Sequence, residues 1–406
     1  MGTKKGALLF ATALTGWAYT VVAQQYNVTD LGSTVQLGDV EGLLIFNLGL
    51  GGHPLNASGQ VAATTPCPGC TGEFYSNGSF TTIPRLGQGP GTNGSEALGI
   101  NDNGQVVGAS TTSSGATNAY IYRNGSIQDI GTLSGTIVNN CSNAATPCFS
   151  VAVGINNSGQ VTGQSGESSA GIAYAFLYSN GSMNSLGVLG AYRGGATSAG
   201  TAINASGEVT GYSTTSTSVE HAFLHSNGTM VDLGILGGGN NTSVGTALNS
   251  QGQVVGWSAT NTGMRAFLYS SGSMQNLGLL ATGEANPFSI AYGINDGGQV
   301  VGISTTAAST GTDAFLYSQG QMIDLNGAIG SAASNYQLTA AYAINNDGQI
   351  LAEGTNNSMG TTDVLLLTPA GASESNSTDG PVPLWALGAL GGGLLGIASR
   401  RLKRAA

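Results

Sequence analysis

Six side chains of this 406-residue chain have the types and the setting to hold a sugar: Tyr192, Arg193, Glu220, His221, Trp257 and Glu284. Aromatic rings exposed on a loop stack on the apolar faces of sugar rings, while Arg and Glu bond the hydroxyls. His221 beside Glu220 also offers an acid/base pair, yet adjacent residues on a strand point to opposite faces. Other signals of catalysis are thin. The three histidines (His53, His221, His225) follow no shared position, and there is no Gly-x-Ser-x-Gly elbow and no metal-ligand spacing. The reading therefore assigns no catalytic residue, no metal and no cofactor.

Four cysteines fall in two local pairs, Cys67 with Cys70 and Cys141 with Cys148. In an oxidising compartment the simplest expectation is two loop-closing disulfides, each worth roughly 2 to 3 kcal/mol. Other pairings remain open from sequence. Cys67-Pro68-Gly69-Cys70 has the spacing of a redox motif but no βαβ context around it. A four-cysteine zinc site would have to join two different repeat units. Asp30, Asp129, Asp232 and Asp324 recur before Leu or Ile, where a strand-end hydrogen bond is favoured over a cation ring, because Thr82, Ser185 and Asn276 fill the same position elsewhere. Asn101-Asp102-Asn103-Gly104 and Asn345-Asn346-Asp347-Gly348 lack the full alternating loop and closing Glu of a calcium site.

What positions these residues is a phrase repeated seven times, Ile/Leu-Asn-x-x-Gly-Gln/Glu. Its asparagines are Asn56, Asn101, Asn156, Asn204, Asn249, Asn295 and Asn345, spaced by 45, 55, 48, 45, 46 and 50 residues. A period in the forties is that of propeller blades. Each unit divides into four short runs, in the fifth unit 245–249, 253–258, 266–270 and 273–277. The third and fourth runs are joined by Asn-Gly at residues 77, 124, 180 and 227, a strong hairpin signal. The third run, such as Ala266-Phe267-Leu268-Tyr269, is apolar throughout, so it needs cover on both faces. Phe176, Phe223, Phe267 and Phe315 share one position in it and are expected in the core. These features predict an all-β fold, a seven-bladed β-propeller of four-stranded antiparallel blades. The last unit lacks a fourth run, and Val28-Thr29-Asp30-Leu31-Gly32 supplies one at the other end of the chain. An N-terminal strand closing the last blade is the consequence.

Four segments follow. Lys4, Lys5 and the apolar stretch 6–22 read as a signal peptide, residues 1–23, with a retained N-terminal anchor as the alternative. Residues 24–370 are the propeller, 371–380 a polar linker, and 381–406 a short apolar run ending in Arg400, Arg401, Lys403 and Arg404. That run is marginal for spanning a bilayer, and its basic end would stay cytoplasmic. Between signal and tail only four basic residues stand against twenty acidic ones, a net of −16. Nucleic acid is excluded as a partner, because phosphate affinity needs a basic patch.

Gly-Ile-Asn-x-x-Gly-Gln-Val-Val-Gly-x-Ser (99–110, 293–304), followed by Ala-Phe-Leu-Tyr and Met-x-Asp-Leu-Gly, resembles the HAF family of bacterial extracellular repeats over about Tyr26 to Thr368. That resemblance implies export and repetition and brings no catalytic residues. The C-terminal segment resembles the PEP-CTERM sorting signals, here as Pro381-Val382-Pro383-Leu384-Trp385 without the usual Glu. It implies an exosortase-type sorting enzyme as a partner, and the surface or matrix of a Gram-negative bacterium as the location. The expected function is an exported binding scaffold, for polysaccharide or another surface component. A propeller hydrolase or lyase on extracellular polysaccharide is the enzymatic alternative, and a purely structural surface-layer component is the third reading. The longer loops, around 66–72, 111–118, 138–149, 190–200, 214–221 and 237–245, gather at one end of the blades, which is where binding is expected.

Overall fold

A computed structural model of the chain describes residues 24–37, 52–67, 69–87, 94–133, 148–167, 172–190, 196–237, 242–281, 287–306 and 311–371. They form seven antiparallel sheets, one per repeat, in an all-β seven-bladed propeller. Blade 5 shows the plan: Ser243–Leu248, Val254–Thr260, Gly263–Ser270 and Ser273–Gly278, hydrogen-bonded in chain order. The first strands of blades 2 to 7 touch their neighbours, so they form the inner ring around the axis. Blade 1 has three regular strands, Val61–Thr64, Gly72–Ser76 and Ser79–Thr82, with Leu55 and Gln36 bridging its inner edge.

Closure follows the sequence expectation. The N-terminal strand Tyr26–Gly32 pairs antiparallel with Thr362–Pro369 and becomes the outer strand of blade 7. The Tyr336 hydroxyl donates to Asp30 Oδ2 at 2.8 Å, tying that strand to the start of the blade's inner strand. Phe176, Phe223, Phe267 and Phe315 are fully buried between blades, each contributing about 2 to 3 kcal/mol. The face-to-face stacking explains why the third run never alternates.

The repeated phrase is explained almost residue by residue. Asn249 Oδ1 accepts from the backbone N–H of Gln251 and Gln253 at 3.1 and 3.0 Å, closing the turn. Gly252 takes φ +72°, open to glycine without cost. Asn249 Nδ2 donates to Gln253 Oε1 at 2.7 Å and to the carbonyl of Asn295, on the next blade, at 3.3 Å. The same interblade bond runs from Asn56 to Asn101, Asn156, Asn204, Asn249, Asn295, Asn345 and back to Asn56, a closed circle of seven at 2.9 to 3.3 Å.

The Gly of Gln-Val-Val-Gly lies under the inner strand: a Cβ on Gly108, Gly163, Gly211, Gly256 or Gly302 would overlap the carbonyl oxygen of Glu96, Val151, Ala199, Val244 or Ile290. The Ser two residues later accepts from the incoming linker, as Leu236 N to Ser258 Oγ at 3.0 Å. Each recurring Asp caps its strand end: Asp30, Asp129 and Asp232 accept from the N–H of Gly32, Gly131 and Gly234 at 2.7 Å. Asp102, in the first calcium-like loop, accepts from Ala57 N of the preceding blade at 2.8 Å and from the Asn157 side chain, and Asn346, in the second, donates its side chain to Asp296, which accepts from Ser250 N at 2.8 Å; this is turn chemistry.

Candidate functional site

Every inner strand of blades 2 to 7 carries a register shift at the residue three before its Asn: Leu98, Val153, Thr201, Thr246, Tyr292 and Tyr342. A bulge of this kind leaves one residue outside the ladder and re-aims its side chain. His53 holds the corresponding place before Asn56, and its carbonyl accepts from Ile100 N at 2.9 Å. These seven positions make a layer around the axis, and its composition is uneven.

Blades 2 to 5 furnish an apolar wall. Leu98, Val151, Val153, Ala199, Tyr212, Val244 and Trp257 pack in one buried cluster with Ile290, and Phe149 and Phe288 lie partly exposed against it. Thr201 and Thr246 turn their hydroxyls away, donating to Gly245 O and Ala291 O at 2.8 and 2.7 Å.

Blades 6 and 7 furnish a polar wall. The rings of Tyr292 and Tyr342 stack at 5.3 Å and 20°. The Tyr342 hydroxyl donates to Glu353 Oε2 at 3.2 Å, and the Leu37 N–H donates to Oε1 at 3.1 Å. Burial raises the Glu353 carboxyl above its ordinary range, only partly offset by those two hydrogen bonds. Burial and the nearby Glu353 push the Tyr292 phenol up to about 12, and burial first, then Glu353, drives Tyr342 well above its usual value. Burial lowers the His53 imidazole to about 4, so it is neutral at physiological pH. All four residues are only partly buried as whole residues. The group offers a carboxylate acceptor and aromatic faces, with Tyr292 packed against the apolar cluster. It suits hydrogen bonding and stacking, with no activated nucleophile.

The residues singled out from sequence are dispersed. Trp257 is only 6% exposed: it is a buried part of the apolar cluster, which corrects the expectation of an exposed stacking ring, because its place on the second strand sets it opposite Val244 in the sheet and in one cluster with Val244 and Ile290. Glu220 is partly buried, its carboxyl raised by burial, and its charge helps burial raise the Tyr212 phenol. His221 does not pair with Glu220; its Nδ1 lies 2.9 Å from both carboxylate oxygens of Asp232 on the outer strand. Asn118 bonds Asp129 in the same way in blade 2. Tyr192, Arg193, Glu284 and Cys141 lie outside the described residues, as do the signal and C-terminal segments. Cys67 and Cys70 form a disulfide with Cα atoms 4.4 Å apart, and Cys148 is also disulfide-bonded. Among the described residues the side-chain group close enough to share a metal is Cys67, Cys70 and Glu96, and its two sulfurs are bonded to each other. Sequence reasoning missed His53, Tyr292, Tyr342 and Glu353. The signal was present: counted back from the anchoring Asn, His53, Tyr292 and Tyr342 share one register position.

The fold is thus a closed seven-bladed propeller with an amphipathic axis. Residues 88–231 match the family described as Protein of unknown function (DUF3466). No curated protein matches the chain. Among solved structures, it is similar to a puromycin-hydrolysing peptidase of Mycobacterium tuberculosis, at 10% identity and TM-score 0.46, over 81% of this chain and 52% of that one. The chain therefore spans about half of that peptidase. It is also similar to a variant of the Aleuria aurantia lectin in complex with Fucα1-6GlcNAc, at 11% identity and TM-score 0.34, over 79% and 96% of the two chains. A third likeness is to AofleA from Arthrobotrys oligospora, at 10% identity and TM-score 0.36, over 66% and 80%.

Proposed function

We propose that this chain is an exported binding scaffold whose propeller takes a polysaccharide at its axis. The observation that carries the reading is the mixed lining of the inner strands: Tyr292 and Tyr342 stack, Tyr342 donates to Glu353, and Tyr292 packs against the apolar cluster of Leu98, Val153 and Trp257. A sugar ring has the same division, an apolar face and a rim of hydroxyls, and pockets that fix such ligands combine aromatic surface with a few placed polar groups. The hydroxyl-rich hairpin tips fit the same ligand class. Thr112 and Ser114, Thr215 and Thr217, and Thr260 and Thr262 pair their hydroxyls at 2.9, 3.0 and 3.4 Å in blades 2, 4 and 5.

The same proposal includes export through residues 1–23 and C-terminal sorting through 381–406 to the cell surface or its matrix, a reading supported by the HAF-like repeats and the PEP-CTERM-like tail. The test uses residues 24–371, which contain the whole closed ring and a single tryptophan, Trp257, inside the apolar cluster. Titration with bacterial exopolysaccharides should change the emission of Trp257 saturably. Unchanged emission together with no retention on any polysaccharide would turn the reading toward a purely structural surface component.

A further inference from the structure

The loop between Thr64 and Gly72 in blade 1 carries Cys67 and Cys70, and beneath it lies a residue that breaks the repeat. Five before the anchoring Asn, blades 3 to 6 place Val151, Ala199, Val244 and Ile290. Blade 2 places Glu96 there, 6% exposed, with a carboxylate oxygen within 4.8 Å of both sulfurs. A disulfide that merely staples a loop needs no buried carboxylate beside it.

Three further features surround the pair. A cavity of about 20 Å³, the size of one water, is lined by Cys70, Ser95, Glu96, Ser110, Thr111 and Thr117. The Arg85 guanidinium donates to Gly69 O at 2.8 Å and Cys70 O at 3.2 Å, putting positive charge on the backbone of the cysteine loop, which favours a thiolate there. Cys70 is 4% exposed and Cys67 partly open, so one sulfur is reachable and the other enclosed.

We infer that Cys67–Cys70 is a thiol–disulfide exchange site in which Glu96 handles the proton of Cys70. A thiolate of an incoming dithiol attacks Cys67 Sγ, the S–S bond breaks, and Cys70 leaves with the electron pair and takes the proton of the Glu96 carboxyl. The second thiolate of the reductant then attacks the reductant's own sulfur in the mixed disulfide. Cys67 leaves as a thiolate and is protonated from solvent, and Glu96 recovers a proton released by the dithiol. Two electrons and two protons pass from the dithiol, now a disulfide, to the two cysteines.

The test follows reduction of each disulfide of the full chain by dithiothreitol, with alkylation and peptide mass spectrometry; the disulfide of Cys148 is the internal control. Glu96→Gln should slow reduction of Cys67–Cys70 about tenfold, the low end of what a positioned proton donor supplies, and Glu96→Asp should restore it, while the Cys148 disulfide keeps its rate. Equal rates in all three forms would reduce the pair to a staple. If Glu96→Gln does not fold, the unmutated chain decides. Corrected for the thiolate fraction of the reductant, its Cys67–Cys70 rate must fall as pH rises through the carboxylate range. The Tyr120 phenol, whose hydroxyl donates to Glu96 O at 2.8 Å, is raised by burial and by Glu96 and holds its proton there. A flat profile overturns the inference.

Discussion

The asparagine that anchors each blade carries more of the fold than any other residue type in the chain. Its side chain closes a turn with two accepted N–H bonds, holds the following Gln, and reaches the next blade, all while buried. Asn249→Ala removes five such bonds, one to Gln251 Oε1 at 3.3 Å included, and leaves the Asn295 carbonyl without that donor. At about 1 kcal/mol per bond, part of it recovered by water, a loss of about 2 to 4 kcal/mol is expected, read as a lower urea midpoint at unchanged slope. His53 carries a different signature. Its folded pKa near 4 lies below the ordinary 6.5, so the stability it contributes is complete above about 6.5 and is lost as pH falls toward 4. The full shift corresponds to about 3 kcal/mol, an upper bound. His53→Leu, which copies Leu98 in the neighbouring blade, should flatten unfolding free energy between those pH values. Glu353 acts in the opposite sense: its raised pKa favours the folded state most at low pH. The comparison is therefore made between His53→Leu and the unmutated chain at each pH.

At the scale of the element, hairpins and bulges divide the labour. The third-to-fourth turns place Asn77, Asn124, Asn180 and Asn227 at φ 49° to 53°, each followed by a Gly at 76° to 82°. Blades 5 and 6 force Ser271 and Gln319 into the same left-handed region, both at 52°. Gln319→Asn should raise stability by about 0.5 to 1 kcal/mol, since Asn tolerates that backbone far better, and thermal unfolding would show it. These turns were legible because Asn-Gly has a fixed geometric meaning. The strand limits of blade 5 were legible to within two residues at most ends for the same reason, being bounded by turn residues on each side. The bulges were not. A period-2 reading gives no sign that Tyr292 and Tyr342 leave the ladder, because the shift arises where neighbouring inner strands crowd the axis. That is why Trp257 read as a loop aromatic and is instead part of the apolar cluster, while the tyrosines went unnoticed. Glu353 stands where blade 5 has Trp257, and only the assembled ring brings it under the Tyr342 hydroxyl beside the stacked tyrosines.

For the whole molecule, the ring is held shut at two radii, by the strand Tyr26–Gly32 outside and by Asn345 donating to Asn56 O inside, at 3.0 Å. Removing residues 24–32 exposes the edge of Thr362–Pro369 and opens the outer seal. Such a truncation should unfold at a lower denaturant midpoint with a broadened transition and should associate in size-exclusion chromatography; a monomer of unchanged midpoint would show the inner circle to be sufficient. Closure was foreseeable because one unit lacked a strand and the other end of the chain had a spare. What the ring encloses was not, since seven positions spread over about 290 residues meet only at the axis. The measurement that bears most directly on the central proposal is a glycan-array comparison of the ring with Tyr292→Ala and Tyr342→Phe. The ring should bind a restricted set of polysaccharide fragments. Tyr292→Ala should abolish that binding, and Tyr342→Phe, which keeps the stack and removes the hydroxyl on Glu353, should weaken it roughly tenfold, the worth of one hydrogen bond to a charged group. Binding that survives both substitutions unchanged would place the ligand elsewhere and contradict the axial site.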